Sequence, residues 1–290
     1  MHATGNGRGA AFMVLAMAAF AIEDVLYKSA SQIFPAGLSL ILFGGIGTVL
    51  FAGLSLSRRE RILHPAMLSK PLLIRTGFEL GGRLFYALAL ALTPLASTSA
   101  ILQATPLVVA LGAVFVFGET VGWRRWLAMA VGFGGVLLIL RPAPGSFEPA
   151  SIFAVLGMIG FAGRDLATRA SPATMSMAQL GTLGFGVVTS AGIVLALVSG
   201  DTLQIPPVPV VLRLAGAAIV GVVAYGALTQ AMRCGEIGFV APFRYTRLVF
   251  ALILAVVIFA ERPDQLTLIG GAVIVGSGLY SLLRQQRKAG

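Results

Sequence analysis

A succession of long apolar segments with very short joins is the feature that most constrains this chain. Each segment has about 20 residues, the length that a helix needs to cross the hydrocarbon core of a bilayer. Polar stretches rich in proline and glycine separate the segments. The predicted helices span about 9–30, 35–56, 72–92, 96–117, 123–140, 151–170, 177–198, 210–232, 237–259 and 265–283. We therefore expect an all-α membrane protein with ten transmembrane helices.

The charge distribution indicates how the chain crosses the membrane. Hydrophobic residues make up 57% of the 290 residues and charged residues 11%, which leaves almost nothing for an aqueous domain. A net charge of +10 would suggest nucleic acid in a soluble protein. Here the basic residues cluster in the segment 58–70, at Arg124 and Arg125, and near the C-terminus. This bias predicts a multi-pass protein of the bacterial inner membrane, with both termini cytoplasmic and no nucleic-acid partner.

The two halves of the sequence resemble each other. FMVLAMAAFAIEDVLYK (12–28) aligns with FAVLGMIGFAGRDLATR (153–169), and FVFGET (115–120) aligns with VIFAER (257–262). The nearly constant spacing indicates a duplication, with one copy in 1–145 and the other in 146–290. Five helices per copy is an odd number, so we expect two inverted-topology five-helix repeats. The first segment also resembles a signal peptide, but its mid-chain counterpart favours a retained helix.

Several ionisable residues fall well inside the predicted helices. They are Glu23, Asp24, Arg75, Glu79, Arg83, Arg164, Asp165, Arg244 and Arg247. Pointing each of them at lipid would cost roughly 2.5–3.5 kcal/mol. We therefore expect them to face the interior of the bundle or a wet cavity. Four acids against five bases also favours mutual pairing, because an unpaired buried charge is strongly destabilising.

The spacing of Arg75, Glu79 and Arg83 places all three on one face of the third predicted helix, and Tyr86 continues that face. One interpretation is that this face lines a translocation path. Glu79 or Arg83 would then bind the ammonium or carboxylate of a zwitterionic solute, and Phe78, Phe85 or Tyr86 would contact its side chain. The alternative is an ion triad, satisfied within itself, that only holds helices together.

The candidate path residues come from both halves. They are Glu23, Asp24, Phe78, Glu79, Arg83, Tyr86, Arg164, Asp165, Tyr225, Arg244 and Arg247. The segment around Tyr225 is the second-half counterpart of the third predicted helix and is mostly apolar. A cavity with one polar and one apolar wall suits an amphipathic solute such as a hydrophobic amino acid. The pair Arg244 and Arg247 is interpreted either as an anion site or as partners of interior acids. Because Glu23 and Arg164 have opposite signs at equivalent positions, we expect them within salt-bridge or water-bridged reach.

Two acidic residues at helix ends receive structural interpretations. Glu119 and Glu261 occupy equivalent positions in the two copies. We expect each to cap the following helix or to pair with a nearby arginine, Arg124 or Arg262.

Two further segments carry a resemblance to a known family. They are ATPLVVALGAVFVFGE (104–119) and RYTRLVFALILAVVIFAE (244–261), each followed by a glycine-rich helix, although Leu248 replaces the proline equivalent to Pro106. With the repeats, they make the whole chain similar to the EamA family of the drug/metabolite transporter superfamily. The sequence most resembles its YddG-type bacterial aromatic amino acid exporters. The resemblance implies ten helices in two inverted repeats and export of small metabolites, for this type aromatic and some other neutral amino acids.

Together these observations predict a secondary transporter that exports small neutral amino acids by alternating access. The chain has no Gly-Lys dipeptide for a Walker A loop, one cysteine and two histidines, so we expect neither a cofactor, a metal nor enzymatic activity. Coupling to protons and a monomeric or homodimeric state both stay open. The alternatives are export of other small metabolites or drugs on the same fold, or an intramembrane lipid-handling enzyme.

Overall fold

A computed structural model describes residues 2–118, 122–141, 148–169, 175–234 and 240–289. The chain is all-α, and the described part contains no strand. Its α-helices are α1 (His2–Ser31), α2 (Ala36–Ser57), α3 (Lys70–Leu92), α4 (Leu95–Leu102), α5 (Thr105–Phe117), α6 (Trp123–Leu140), α7 (Ser151–Arg169), α8 (Met177–Ser199), α9 (Val208–Cys234), α10 (Thr246–Phe259) and α11 (Gln265–Ala289). Short 3-10 helices cover Pro65–Leu68 and Ala241–Tyr245.

Six segments in the described ranges, one of which contains both α4 and α5, are long and apolar enough to cross a membrane. They are Gly7–Ser31, Ala36–Ser57, Leu95–Val116, Ser151–Thr168, Met177–Ser199 and Val208–Ala231. Shorter apolar helices cover Trp126–Leu140 and Gln265–Tyr280. The multi-pass character is therefore confirmed, whereas the count of ten transmembrane helices stays a prediction.

The fourth predicted helix is interrupted. Instead of one helix over 96–117, α4 ends at Leu102 and α5 begins at Thr105. Pro106 explains the interruption, because proline lacks the N–H group that a continuous helix would use and is tolerated only in the first turn of a helix, where it lies in α5. In the second half, a 3-10 helix precedes α10 at the corresponding place, so both halves contain a break here.

Most of the extensive helix packing joins the first half of the chain to the second. Helix α1 lies along α9, α3 along α7, α2 along α8, and α6 along α11. Buried apolar residues from both halves form the main core. The interior charges predicted from the sequence lie on α1, α3 and α7 and on the segment around α10, so this packing brings them into one region between the halves.

Helices α2 and α8 interlock through a reciprocal pair of contacts. The ring of Phe51 fills the space where Gly181 lacks a side chain, and the ring of Phe185 does the same at Gly47. The two rings are themselves 5.4 Å apart between centroids. The contact follows a repeated pattern that the alignment above does not contain, GTVLF (47–51) and GTLGF (181–185). Equivalent residues therefore meet each other, as they would across a twofold axis.

Candidate functional site

Helices α1, α3 and α10 bring a first group of charged and polar residues together, which we call the Asp24 cluster: Glu23, Asp24, Arg83, Tyr86 and Arg247. Arg247 Nη2 donates to Asp24 Oδ2 at 2.6 Å, and Tyr86 Oη donates to the same oxygen at 3.0 Å. The side chain of Asp24 is only 4% exposed, so this ion pair is buried. The cluster holds α1 of the first half to α10 of the second.

Glu23 and Arg83 form a looser pair in the same cluster. Their closest charged atoms, Arg83 Nη1 and Glu23 Oε1, are 3.9 Å apart. Within the described residues, the buried atoms Glu23 Oε2 and Arg83 Nε have no hydrogen-bond partner. Burying a carboxylate and a guanidinium without all of their hydrogen bonds costs free energy. A ligand that carries both a positive and a negative charge would supply the missing partners.

Helices α3 and α7 bring together a second group, the Glu79 cluster: Arg75, Glu79, Arg164, Asp165 and Thr168. Arg75 contacts Glu79 at 2.9 Å with the predicted spacing of four residues, and its Nε donates to Thr168 Oγ1 at 3.0 Å. Arg164 pairs with Asp165 at 2.8 Å and lies 3.7 Å from Glu79. Glu79 thus has two cationic partners, Arg75 and Arg164, whereas Arg83, the third residue of the predicted triad, lies nearest to Glu23.

Phe161 lies between the two clusters. The guanidinium groups of Arg83 and Arg164 lie 5.5 and 5.0 Å from its ring centroid, within the range of a cation–π contact. Phe20, its counterpart in the repeat, has Arg247 at 5.3 Å. The sequence analysis did not select either phenylalanine, although both occupy matched positions one turn before the paired aspartates.

Glu23 and Arg164, which were expected within salt-bridge or water-bridged reach of each other, form no direct ion pair in this structure. Glu23 instead lies nearest to Arg83, and Arg164 binds Asp165 and approaches Glu79. The reason is local, because Asp165 follows Arg164 directly and accepts two hydrogen bonds from it. Phe161 links the two predicted partners indirectly, because its ring contacts both Arg164 and Arg83, the residue nearest to Glu23.

The other candidate residues lie around the Glu79 cluster: Tyr225 is close enough to interact electrostatically with Arg75 and Glu79, and Arg244 with Asp165. Phe78 is 44% exposed and packs where Gly163 lacks a side chain. Tyr225 contacts the buried ring of Phe51 edge to face, at 5.7 Å. Arg244 lies on the 3-10 helix before α10, about one turn before Arg247.

The end of α1 carries a charge that the sequence analysis missed. Lys28 is buried and lies 3.8 Å from Glu261. Glu261 does not cap the following helix or pair with Arg262 as expected, because its carboxylate accepts hydrogen bonds from the backbone N–H groups of Leu95 and Ala96 and so caps α4. Its counterpart Glu119 lies outside the described residues. In the alignment of the two halves, Lys28 matches Arg169. A basic residue at this position in both copies was the sequence signal that could have identified Lys28.

The site offers polar contacts to a ligand rather than metal ligands. In the ranges given above, no three His, Cys, Asp or Glu side chains are grouped so as to hold a metal ion. Instead, the Asp24 cluster presents an acid, a base and aromatic rings side by side. This chemistry suits the binding of a small charged or zwitterionic molecule.

Known proteins resemble the chain over most of its length. It is 28% identical to the S-adenosylmethionine uptake transporter of Rickettsia bellii, over 71% of this chain and 70% of that protein. It is 29% identical to the pseudopaline exporter CntI of Pseudomonas aeruginosa, over 92% and 93%. The riboflavin transporter of Rhizobium johnstonii is 27% identical, over 69% and 65%.

A solved crystal structure shares the fold. It covers 98% of both chains with a TM-score of 0.62 at 20% sequence identity, a likeness that shows the fold alone. The family model of the EamA-like transporters matches residues 7–141 and again residues 149–283. The chain is thus a membrane transporter, and it belongs to the EamA-like transporter family.

Proposed function

We propose that this transporter moves small neutral amino acids, aromatic and hydrophobic ones in particular, out of the cytoplasm across the bacterial inner membrane. The observation that carries the proposal is the loose ion pair of Glu23 and Arg83. A tight buried pair has no need of a ligand, whereas this pair is 3.9 Å apart and retains unpartnered atoms on both sides.

A zwitterion satisfies this pair better than a singly charged molecule does. Its ammonium group binds the carboxylate of Glu23, and its carboxylate binds the guanidinium of Arg83. No net charge is then added to the buried site, so the desolvation of each group is compensated by an opposite charge and by hydrogen bonds. The rings of Tyr86 and Phe161, 5.7 Å apart, provide an apolar surface beside the pair for the side chain of the substrate.

Alternating access between two inverted halves is the mechanism that we propose. The chain then has ten transmembrane helices, with one repeat in 1–145, a second in 146–290, and both termini in the cytoplasm. Two separate family matches and the packing of α1 on α9 and α3 on α7 support this arrangement. The halves rock around the two ion clusters, which lie between them. Either a proton gradient or the solute gradient alone drives transport.

The relatives favour a second candidate substrate class. Their names include transporters of S-adenosylmethionine, riboflavin and pseudopaline, in both the uptake and the export direction. Other small metabolites are therefore the alternative cargo on this fold. Of these three, S-adenosylmethionine is itself an α-amino acid, which agrees with a site for an ammonium and a carboxylate group.

Replacing either member of the loose pair is expected to weaken substrate binding. In proteoliposomes, Glu23→Gln and Arg83→Gln should each raise the KM for labelled phenylalanine or threonine about 10- to 100-fold, because each removes one charged hydrogen bond to the substrate. The matched control is Asp264→Asn, which removes a charge near the start of α11.

Measuring uptake with and without a pH gradient also distinguishes proton coupling from facilitated diffusion. An unchanged KM in both variants would contradict this assignment of the pair.

A further inference from the structure

A compact polar contact closes one end of the bundle, at the end of α1 opposite the N-terminus. The buried Lys28 Nζ donates to the backbone carbonyl oxygen of Leu90 at 3.1 Å and to that of Thr93. It also lies 3.8 Å from Glu261 Oε1. These carbonyls belong to the last turn of α3 and the residue after it, where a cation is favoured by the helix dipole.

Glu261 connects two other helices at the same end. Its carboxylate accepts hydrogen bonds from the N–H groups of Leu95 at 2.8 Å and Ala96 at 3.1 Å, at the start of α4. Its own N–H donates to the carbonyl oxygen of Ala255 in α10, at 3.0 Å. The Lys28–Glu261 pair therefore joins α1 and α3 to α4 and α10.

The pair lies directly beyond the Asp24 cluster along the bundle. On α1, Lys28 follows Asp24 by one turn, a rise of about 6 Å. On α10, Arg247 binds Asp24, and Phe259, which lies about 18 Å further along that helix, has its ring centroid 5.4 Å from Lys28 Nζ. Between them Ala251 and Ala255 are fully buried. The part of α10 between the cluster and the pair is thus buried in this structure.

A cavity of about 360 Å³ begins on the other side of the pair. Glu261 and Ala96 line it, together with charged residues that include Arg141, Arg262 and Asp264. The pair therefore separates the buried charged region of the bundle from a polar cavity at the end of the molecule.

We propose that the Lys28–Glu261 pair is the gate that closes the translocation path at the end opposite the N-terminus. This inference rests on the alternating access proposed above. When the pair separates, Lys28 stays hydrogen-bonded to the carbonyl groups of Leu90 and Thr93. Glu261 likewise stays hydrogen-bonded to the N–H groups at the start of α4. Neither charge is left without partners, so opening avoids the large penalty that breaking a buried pair normally carries. The pair can therefore open and close repeatedly during transport.

Chemical labelling tests the gate without any substrate. A single cysteine is introduced as Ala251→Cys in a background with Cys234→Ser, and a membrane-impermeant maleimide is added to the face opposite the N-terminus. In the parent we expect little labelling. Lys28→Gln or Glu261→Gln should accelerate labelling about tenfold, because we expect each variant to raise the fraction of molecules with an open gate by that factor. Glutamine at 261 still accepts a hydrogen bond from the start of α4, which protects folding.

Two controls make the result specific. Lys28→Arg retains the charge and should keep labelling slow, and Arg262→Gln removes a different charge from the lining of the same cavity and should have no effect. Unchanged protection in both Lys28→Gln and Glu261→Gln, or fast labelling of the parent, would overturn the gate. Because labelling needs no transported molecule, its outcome is independent of whether amino acids are the substrate.

Discussion

Removing one member of the Asp24–Arg247 pair is expected to abolish transport and to lower the free energy of unfolding by about 3–5 kcal/mol. The two side chains are 2.6 Å apart and largely buried, and they join the two halves of the chain. Asp24→Asn leaves the guanidinium uncompensated, and Arg247→Gln leaves the carboxylate with only the hydroxyl of Tyr86. Thermal unfolding in detergent and uptake by proteoliposomes measure the two effects.

The double variant Asp24→Asn/Arg247→Gln provides the control. With neither charge present, the double variant should be more stable than the two single losses predict when added. Transport should remain absent, because the polar environment beside Glu23 and Arg83 is changed. Strictly additive losses of stability would show that the two charges do not interact as the structure indicates.

Replacing Gly160 by alanine is expected to have an effect of similar size on activity. A Cβ atom at Gly160 would lie 2.5 Å from the backbone N and Cα atoms of Gly82, so α3 and α7 would have to move apart. These helices carry the Glu79 cluster, whose contacts between Glu79 and Arg164 depend on that approach. We expect loss of transport and a destabilisation of about 1–3 kcal/mol, the usual cost of overpacking.

Gly81→Ala is the matched control for this substitution. Gly81 adjoins Gly82 on the same helix, but no atom lies within 4 Å of a Cβ placed there. The added methyl group should therefore be neutral or slightly stabilising, because alanine favours helix more than glycine does. Equal effects of Gly160→Ala and Gly81→Ala on uptake would contradict the account of the close contact.

The general organisation could be predicted from the sequence because it depends on local patterns. Long apolar segments indicated an all-helical membrane protein, and the matched segments around Asp24 and Asp165 indicated the duplication. The cost of a charge in lipid was sufficient to expect Glu23, Asp24 and Glu79 inside, where the structure buries them. The contact between Arg75 and Glu79 followed from helical spacing alone.

The partners across the bundle could not be predicted in the same way. Asp24 binds Arg247, more than two hundred residues away, and Glu261 caps a helix of the other half, and neither contact leaves a pattern in the local sequence. The Gly-Thr-x-x-Phe repeat was missed for a different reason. The distance from Asp24 to Gly47 is longer than that from Asp165 to Gly181, so an alignment with constant spacing does not match these segments.

Counterflow of a labelled amino acid tests the central claim most directly. Liposomes that contain the purified protein and a high concentration of unlabelled phenylalanine are placed in labelled phenylalanine. We predict transient accumulation of label, competed by other neutral amino acids but not by phenylethylamine or phenylpropionate, which each lack one of the two charges. A correctly folded protein that shows no counterflow of any neutral amino acid, or equal competition by both analogues, would contradict a zwitterion site at Glu23 and Arg83.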